Sequence, residues 1–278
     1  MQVKTLTLQS ATLLRPPLPV TLGPAALAPP SSRPPVNKLL DALPLAVLQR
    51  WSPHLEPVQL TLGQVLCESG CRCSHVHFPT TSIVSLLNMT SNGDSAEVAT
   101  VGRDGVIGLP LLMGNMSSNG RAVVHGAGRG LRLRADLLIE EFNHGGAVMQ
   151  LMLRYSRALS TQVAQTAVCN RHHSIDQQVC RLILQSLDCV QGSRLQTTQE
   201  LLGSRLGVRR ESVTAAALRL QRAGLIRYAR GSIEVLDREG LEDSSCECYD
   251  VVRRECERLL PLRQASSAPL WAAQSSAA

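Results

Sequence analysis

The chain has 278 residues, which suits two domains at roughly 150 residues each and provides enough apolar material for a sizeable core. Hydrophobic residues make up 44% and charged residues 18%, and no run approaches the roughly 18 consecutive apolar residues of a membrane helix, so a membrane-spanning reading is excluded. Twenty-eight basic residues against 22 acidic ones leave a net charge of +6. Only Lys4 and Lys38 are lysines, so the basicity is arginine, whose planar guanidinium pairs bidentately with phosphates and guanine edges.

In chain order, residues 1–36 read as a disordered arm. Eight of the 15 prolines precede Val36, where they deny the backbone both helical and ladder hydrogen bonds. From Leu55 to Arg134 the pattern is one of short extended segments punctuated by turns. Val58, Leu60 and Leu62 alternate before Gly63, and Val76 and Phe78 alternate before Pro79. Ile83 to Leu87 leads to the turn at Asn92-Gly93-Asp94, and Glu97 to Val101 leads to Gly102-Arg103-Asp104-Gly105. Such spacing predicts an antiparallel β-roll of the jelly-roll kind over residues 37–144.

After Gly145-Gly146 the period lengthens to about three and a half. Met152, Tyr155, Leu159, Val163 and Thr166 form the seam of a long helix over 145–171. Periodicity leaves two uses for that seam open: packing on the β-domain, or pairing with a second copy of the chain as a dimerisation helix.

Ile175 to Val190 reads as another helix. Thr197-Thr198-Gln199-Glu200 fits a capping box, and the helix it starts stops at Gly207, four residues after the small Gly203. A second helix opens near Arg209. This is helix-turn-helix spacing, with Thr198, Arg209, Arg210, Glu211, Ser212 and Thr214 as candidate DNA contacts. Two short strands about Ala229-Arg230-Gly231 make a wing that carries Arg230. Arg194 to Arg230 holds eight arginines against Glu200 and Glu211, so the net charge of the whole chain is matched by this segment alone, which points to a polyanion partner. The winged helix-turn-helix is placed at 172–251 and a partly disordered tail at 252–278. The fold class is α+β: an N-terminal jelly-roll-like β-roll, a long helix and a C-terminal winged helix-turn-helix.

These residues resemble the Crp/Fnr family of bacterial transcription regulators. The resemblance spans Asn37 to Val251 and rests on Val101-Gly102-Arg103-Asp104-Gly105-Val106-Ile107-Gly108, on Gly207-Val208-Arg209-Arg210-Glu211-Ser212-Val213, and on Leu220 to Ile226 with Arg230-Gly231. It implies a cyclic-nucleotide-binding-like roll and a homodimer reading a two-fold site on double-stranded DNA, with RNA polymerase as a further partner the family admits. Arg210 and Glu211 match the family's base-reading Arg-Glu pair, suited to guanine and to a cytosine amino group. The family's further arginine falls on Ala215, which implies a different sequence preference. The alternative reading is a ligand-binding module whose basic helix contacts RNA or protein.

For the sensor, Arg121 matches the family's phosphate arginine and is the candidate effector contact. Leu109 stands where the ribose-binding Glu would be and Ala122 where the hydroxyl would be, so a cyclic nucleotide is not expected and the effector is unknown. Nine cysteines cannot all pair within the chain, and reduced thiols in a cytoplasmic protein are expected. Cys67, Cys71, Cys73, His75 and His77 are too spread along a strand for one ion unless Ser69-Gly70 loops. Cys246-Glu247-Cys248 reads as ordinary thiols, with a redox pair as the alternative. No metal, cofactor or catalytic arrangement is expected. His172 and His173 have no nucleophile beside them to serve.

Overall fold

The computed structural model describes residues 36–114, 120–190 and 192–260. The proline-rich arm up to residue 35 and the tail from 261 lie outside that range. Helices α1 (Lys38–Asp41) and α2 (Leu45–Trp51) open it. Asn37 caps α1 by accepting from the amides of Leu39 and Leu40. Its own amide donates to the carbonyls of Pro79 and Gly105, both at 2.9 Å, so this fully buried side chain pins the first helix to the roll.

The roll consists of β1 (Glu56–Leu60), β2 (Val65–Cys67), β3 (His75–Pro79), β4 (Ile83–Met89), β5 (Ser95–Val101), β6 (Arg121–Gly126) and β7 (Gly128–Arg134). They form two antiparallel sheets, ordered β1-β7-β3 and β2-β6-β4-β5. Leu60, Val84, Val101, Ile107 and Val124 fill the space between them, as the inward positions of strands with a period of two must. Beyond β7, α3 (Ala135–Asn143) turns into the long helix α4 (Gly146–His172).

The inner face of α4 is the seam expected from the sequence, but it is used within the chain. Met152 and Tyr155 are buried with Phe78, Val106, Leu133 and Leu138, and Leu159 packs against the same cluster. The Tyr155 hydroxyl donates to the Val106 carbonyl, and Thr166 accepts from buried Arg181. Met152, Tyr155 and Leu159 thus cover the apolar side of the roll, while Thr166 is turned to α5. Val163 alone of the seam is exposed, at 38%.

The C-terminal region contains α5 (Ile175–Cys189), β8 (Arg194–Gln196), α6 (Gln199–Leu206), α7 (Arg210–Arg222), β9 (Ile226–Ala229), β10 (Ser232–Val235), α8 (Arg238–Asp243) and α9 (Glu247–Leu259). Its core is Val179, Leu182, Ile183, Leu202, Val213, Ala216, Leu220 and Ile233, joined by Ile83 from the roll. Helix α9 continues past the expected boundary at 251 to Leu259 and packs back along α4. Its buried stripe of Cys248, Tyr249, Val252 and Leu259 is diluted by charged neighbours, so α9 leaves little period in the sequence. The expectation of reduced thiols fails at one place: Cys67 and Cys73 form a disulfide across the turn at Ser69-Gly70.

A buried ion pair joins roll to reader. Arg205 of α6 donates to the Glu97 carboxylate of β5 through Nε at 2.7 Å and a terminal nitrogen at 3.0 Å. Its remaining donors reach Thr100 and Ser186, both at 3.0 Å, while Ser85 donates to Glu97 and also contacts His125. Burial alone would raise the Glu97 carboxyl, but the Arg205 guanidinium, with His125 and Ser85, holds it down at about 2. A carboxylate depressed in the folded state stabilises above its ordinary value of 4.5, and that stabilisation is lost as pH falls toward 2. Glu97→Gln should cost about 3–5 kcal/mol at neutral pH by leaving Arg205 buried without a counter-charge. Thermal melts followed by circular dichroism should show a steeper fall in midpoint between pH 4.5 and 2 for the wild type than for the variant. Parallel falls would mean that Glu97 ionisation does not hold this junction.

Candidate nucleic-acid interface

The reader is assembled by local chemistry. Thr198 caps α6, its hydroxyl accepting from the Leu201 amide at 3.1 Å. The cap thus sits one residue later than the capping box read from the sequence: the third helical position is Leu201 rather than Glu200, so no acidic side chain returns the bond. A complete box does occur at Ser174, with Gln177 as its partner. Gly207 ends α6 at φ +66, a left-handed conformation that favours glycine. A Cβ on Gly203 would meet the Val208 carbonyl oxygen at 3.0 Å, so the bare backbone there is what lets α7 cross α6 closely.

Helix α7 buries Val213, Ala216, Ala217 and Leu220 and turns its other face outward. Arg209, Arg210 and Glu211 stand exposed at its first turn, with Ser212 half-buried beside them. Thr214 is committed differently: its hydroxyl donates to the Gln199 side chain at 2.7 Å and to the Arg210 carbonyl at 3.0 Å, binding the two helices together. Thr198 likewise spends its hydroxyl on the cap. Of the sequence-predicted contacts, Arg209, Arg210 and Glu211 therefore stand exposed at the start of α7 with Ser212 half-buried, while Thr198 and Thr214 cap and tie the two helices.

The wing is a three-stranded sheet ordered β8-β10-β9; the three-residue β8 was too short to leave a period in the sequence. Arg230 lies at the β9–β10 turn with φ +50, the one non-glycine described residue with positive φ. Below the wing, the Thr197 amide donates to the Gly231 carbonyl at 2.9 Å, which fixes the wing turn against the start of α6.

Tertiary contacts divide the eight arginines of this segment evenly. Arg205 is buried on Glu97, Arg219 pairs with Asp176, and Arg194 and Arg227 both reach Glu234. Among the described residues no carboxylate pairs with Arg209, Arg210, Arg222 or Arg230. The free positive charge is thus confined to the first turn of α7, its far end and the wing tip.

On the sensor side, Arg121 opens β6 with its Nε 3.1 Å from the Glu68 carboxylate, so the candidate effector cation already has a counter-charge. Leu109, at the place of the family's ribose acceptor, is buried in the core. The turn at Gly102-Arg103 serves a different end: the Arg103 amide donates to the Cys189 carbonyl, and a Cβ on Gly102 would collide with the Cys189 side chain. Close approach of roll and reader, rather than a ligand, accounts for glycine there. Of the cysteine and histidine group in β2 and β3, Cys67 and Cys73 are consumed by the disulfide and Cys71 is exposed. His77, whose imidazole is pushed down to about 4 by burial and then by its neighbours His75 and Arg132, is neutral near pH 7.

Residues 177–244 match the family model of the Crp-like helix-turn-helix domain. The chain also superposes on solved structures with a TM-score of 0.58 for a Crp/Fnr-family transcriptional regulator from Eubacterium rectale, at 17% identity over 74% of this chain and 96% of the other. It superposes with a TM-score of 0.60 on FixK2 from Bradyrhizobium japonicum, at 13% identity over 69% and 98% of the two chains. Residues 177–244 are a Crp-like helix-turn-helix domain, and the chain has the Crp/Fnr fold. A third structure with the same architecture is that of a protein from Silicibacter pomeroyi described as a cAMP-binding regulatory protein, at 19% identity over 74% and 97% of the chains with a TM-score of 0.54. No curated protein sequence matches the chain.

The role of Gly203 in this Crp-like domain can be tested by Gly203→Val. The branched side chain would press on the Val208 carbonyl, and overpacking of this kind costs about 1–3 kcal/mol. A urea denaturation midpoint lowered accordingly is expected, and an unchanged midpoint would show that α6 and α7 have room to separate.

Proposed function

We propose that the chain is a homodimeric, sequence-specific DNA-binding transcription regulator. The observation that carries this reading is the unpaired, exposed trio of Arg209, Arg210 and Glu211 at the first turn of α7, together with exposed Arg230 at the tip of the wing. A helix that presents its first turn outward can enter a major groove, whose base edges offer guanine O6 and N7 to Arg210 and a cytosine amino group to Glu211. Arg209 and Arg230 suit phosphates, which position the reader without carrying sequence. Ala215, exposed on the same helix, leaves at most a methyl contact where related proteins have an arginine.

Arg210→Ala should weaken binding to a selected operator by about 1–3 kcal/mol and relax preference at one base pair, whereas Arg230→Ala should weaken all DNA about equally and reduce the salt slope by about one. Selection of a binding site from random duplexes, followed by fluorescence anisotropy in graded salt, separates the two. Equal loss for Arg210→Ala on operator and scrambled DNA would make Arg210 a phosphate contact. A wild-type chain that prefers no duplex sequence, or that prefers RNA, would favour the reading in which the basic helix meets RNA or protein.

The dimer reading moves to the outer face of α4. Leu153, Ser160, Ala164 and Val168 are exposed along one stripe opposite the buried seam, Leu153 at 53% and Val168 at 45%. Small residues in the middle of that stripe allow two such helices to approach. Ala164→Arg should convert a dimer into a monomer by light scattering and weaken operator binding, since each half-site then pays its ordering cost alone. A wild-type chain that is already monomeric at micromolar concentration would remove the dimer from this reading.

A further inference from the structure

We propose that Cys169, His173, Cys246 and Cys248 form a structural zinc site that fastens the end of α4 to the start of α9. The four donor atoms all lie within 4.8 Å of one another. Cys169 and His173 stand one turn apart at the end of α4, so both side chains leave the same face. Cys246 is the cap residue of α9, and Cys248 lies in its first turn. Folding α9 back along α4 brings the two pairs together across more than 70 residues of sequence.

The spacing matches one small ion. Zinc–sulfur bonds of about 2.3 Å and zinc–nitrogen bonds of about 2.0–2.1 Å in a tetrahedron imply donor-to-donor edges of about 3.5–3.8 Å. The Cys169 and Cys246 sulfurs are 3.5 Å apart, and the Cys248 sulfur is 3.4 Å from Nδ1 of His173. A polynuclear iron–sulfur cluster needs its ligands spread wider than this set. Three thiolates and an imidazole are soft and borderline donors that favour zinc over magnesium or calcium.

The surroundings fit a ligand set. The carboxylate of Glu247 lies 3.3 Å from Nε2 of His173, an arrangement that holds the proton on Nε2 and aims the Nδ1 lone pair at the sulfurs. The Gln165 amide donates to the Cys248 sulfur at 3.2 Å, and the Gln178 amide donates to the His173 carbonyl at 2.9 Å, fixing the turn from which the imidazole projects. Cys169, Cys246 and Cys248 are buried in a cluster of their own, separate from the aliphatic cores. A plain thiol core has no use for the imidazole or its carboxylate. A Cys169–Cys246 disulfide would leave the convergence of Cys248 and His173 on the same point without a purpose. Four protein donors fill a zinc coordination sphere, so the ion would hold structure rather than activate water.

The test uses the full chain, purified under reducing conditions without chelator. Mass spectrometry of metals should find about one zinc per chain. Replacing it with cobalt(II) should give the intense ligand-field bands of a tetrahedral site with sulfur-to-cobalt charge transfer. Cys248→Ser and His173→Ala should lose or alter those bands. His173→Cys should keep the metal and strengthen the charge transfer, and Cys71→Ser, in the exposed loop, should match the wild type. The wild-type spectrum decides the matter even if a variant fails to fold. Negligible zinc with no cobalt spectrum in the reduced, folded chain would overturn the proposal. So would cobalt bands unaffected by His173→Ala and Cys248→Ser, or recovery of a Cys169–Cys246 disulfide peptide from the chain as isolated.

Discussion

The Arg205–Glu97 pair is where the roll and the reader become one body. A buried ion pair adds little net stability, because removing both charges from water costs about as much as their attraction returns. Its effect is on geometry. The fork of Arg205 meets both oxygens of Glu97, the Thr100 hydroxyl and the Ser186 hydroxyl, and these come from the roll and from α5. The bonds can all be made in one relative placement of the parts, and any other leaves a buried charge unsatisfied. The orientation of α6, and through Gly203 and Thr214 that of α7, follows from this single requirement.

Two other contacts reinforce the placement. The Gly102 turn fits against Cys189 at the end of α5, and α9 returns along α4 so that Arg157 meets Glu255 at 3.1 Å. The long helix therefore serves two neighbours and leaves a third face open. Its inner face covers the roll, its flank receives α9, and its outer stripe from Leu153 to Val168 stays uncovered. The hinge between α4 and α5, at His173 and Ser174, is the point at which the reader leaves the long helix, and the cysteine and histidine donors gather there. A clamp at that position would act on the same orientation that Arg205 sets from the other side.

Much of the architecture was legible because it is written locally. Alternation with turn glycines marked the strands, an uninterrupted period marked α4, and Gly203, Gly207 and the basic first turn marked the helix-turn-helix. Short or shifted features were less visible. Strand β8 has three residues, the α6 cap sits at Thr198 because Leu201 holds the third helical position, and the apolar stripe of α9 is diluted by charge. The seam of Met152, Tyr155, Leu159, Val163 and Thr166 is turned inward except at Val163. Periodicity reports that a face is buried and is silent about what buries it.

The sequence by itself determined the order of roll, long helix and helix-turn-helix, and the arginine-rich character of the reader. Each of those depends on neighbours a few residues apart, where propensity, capping and turn chemistry act. Only the tertiary structure decided which arginines remain free to meet a polyanion. Arg205, Arg219, Arg194 and Arg227 find carboxylates on other elements, while Arg209, Arg210, Arg222 and Arg230 do not. It also decided that Cys169 and His173 face Cys246 and Cys248. The reason is the same in both cases: charge pairing and ligand geometry depend on distances of a few ångströms between segments far apart in the chain, and these exist only once the core has packed.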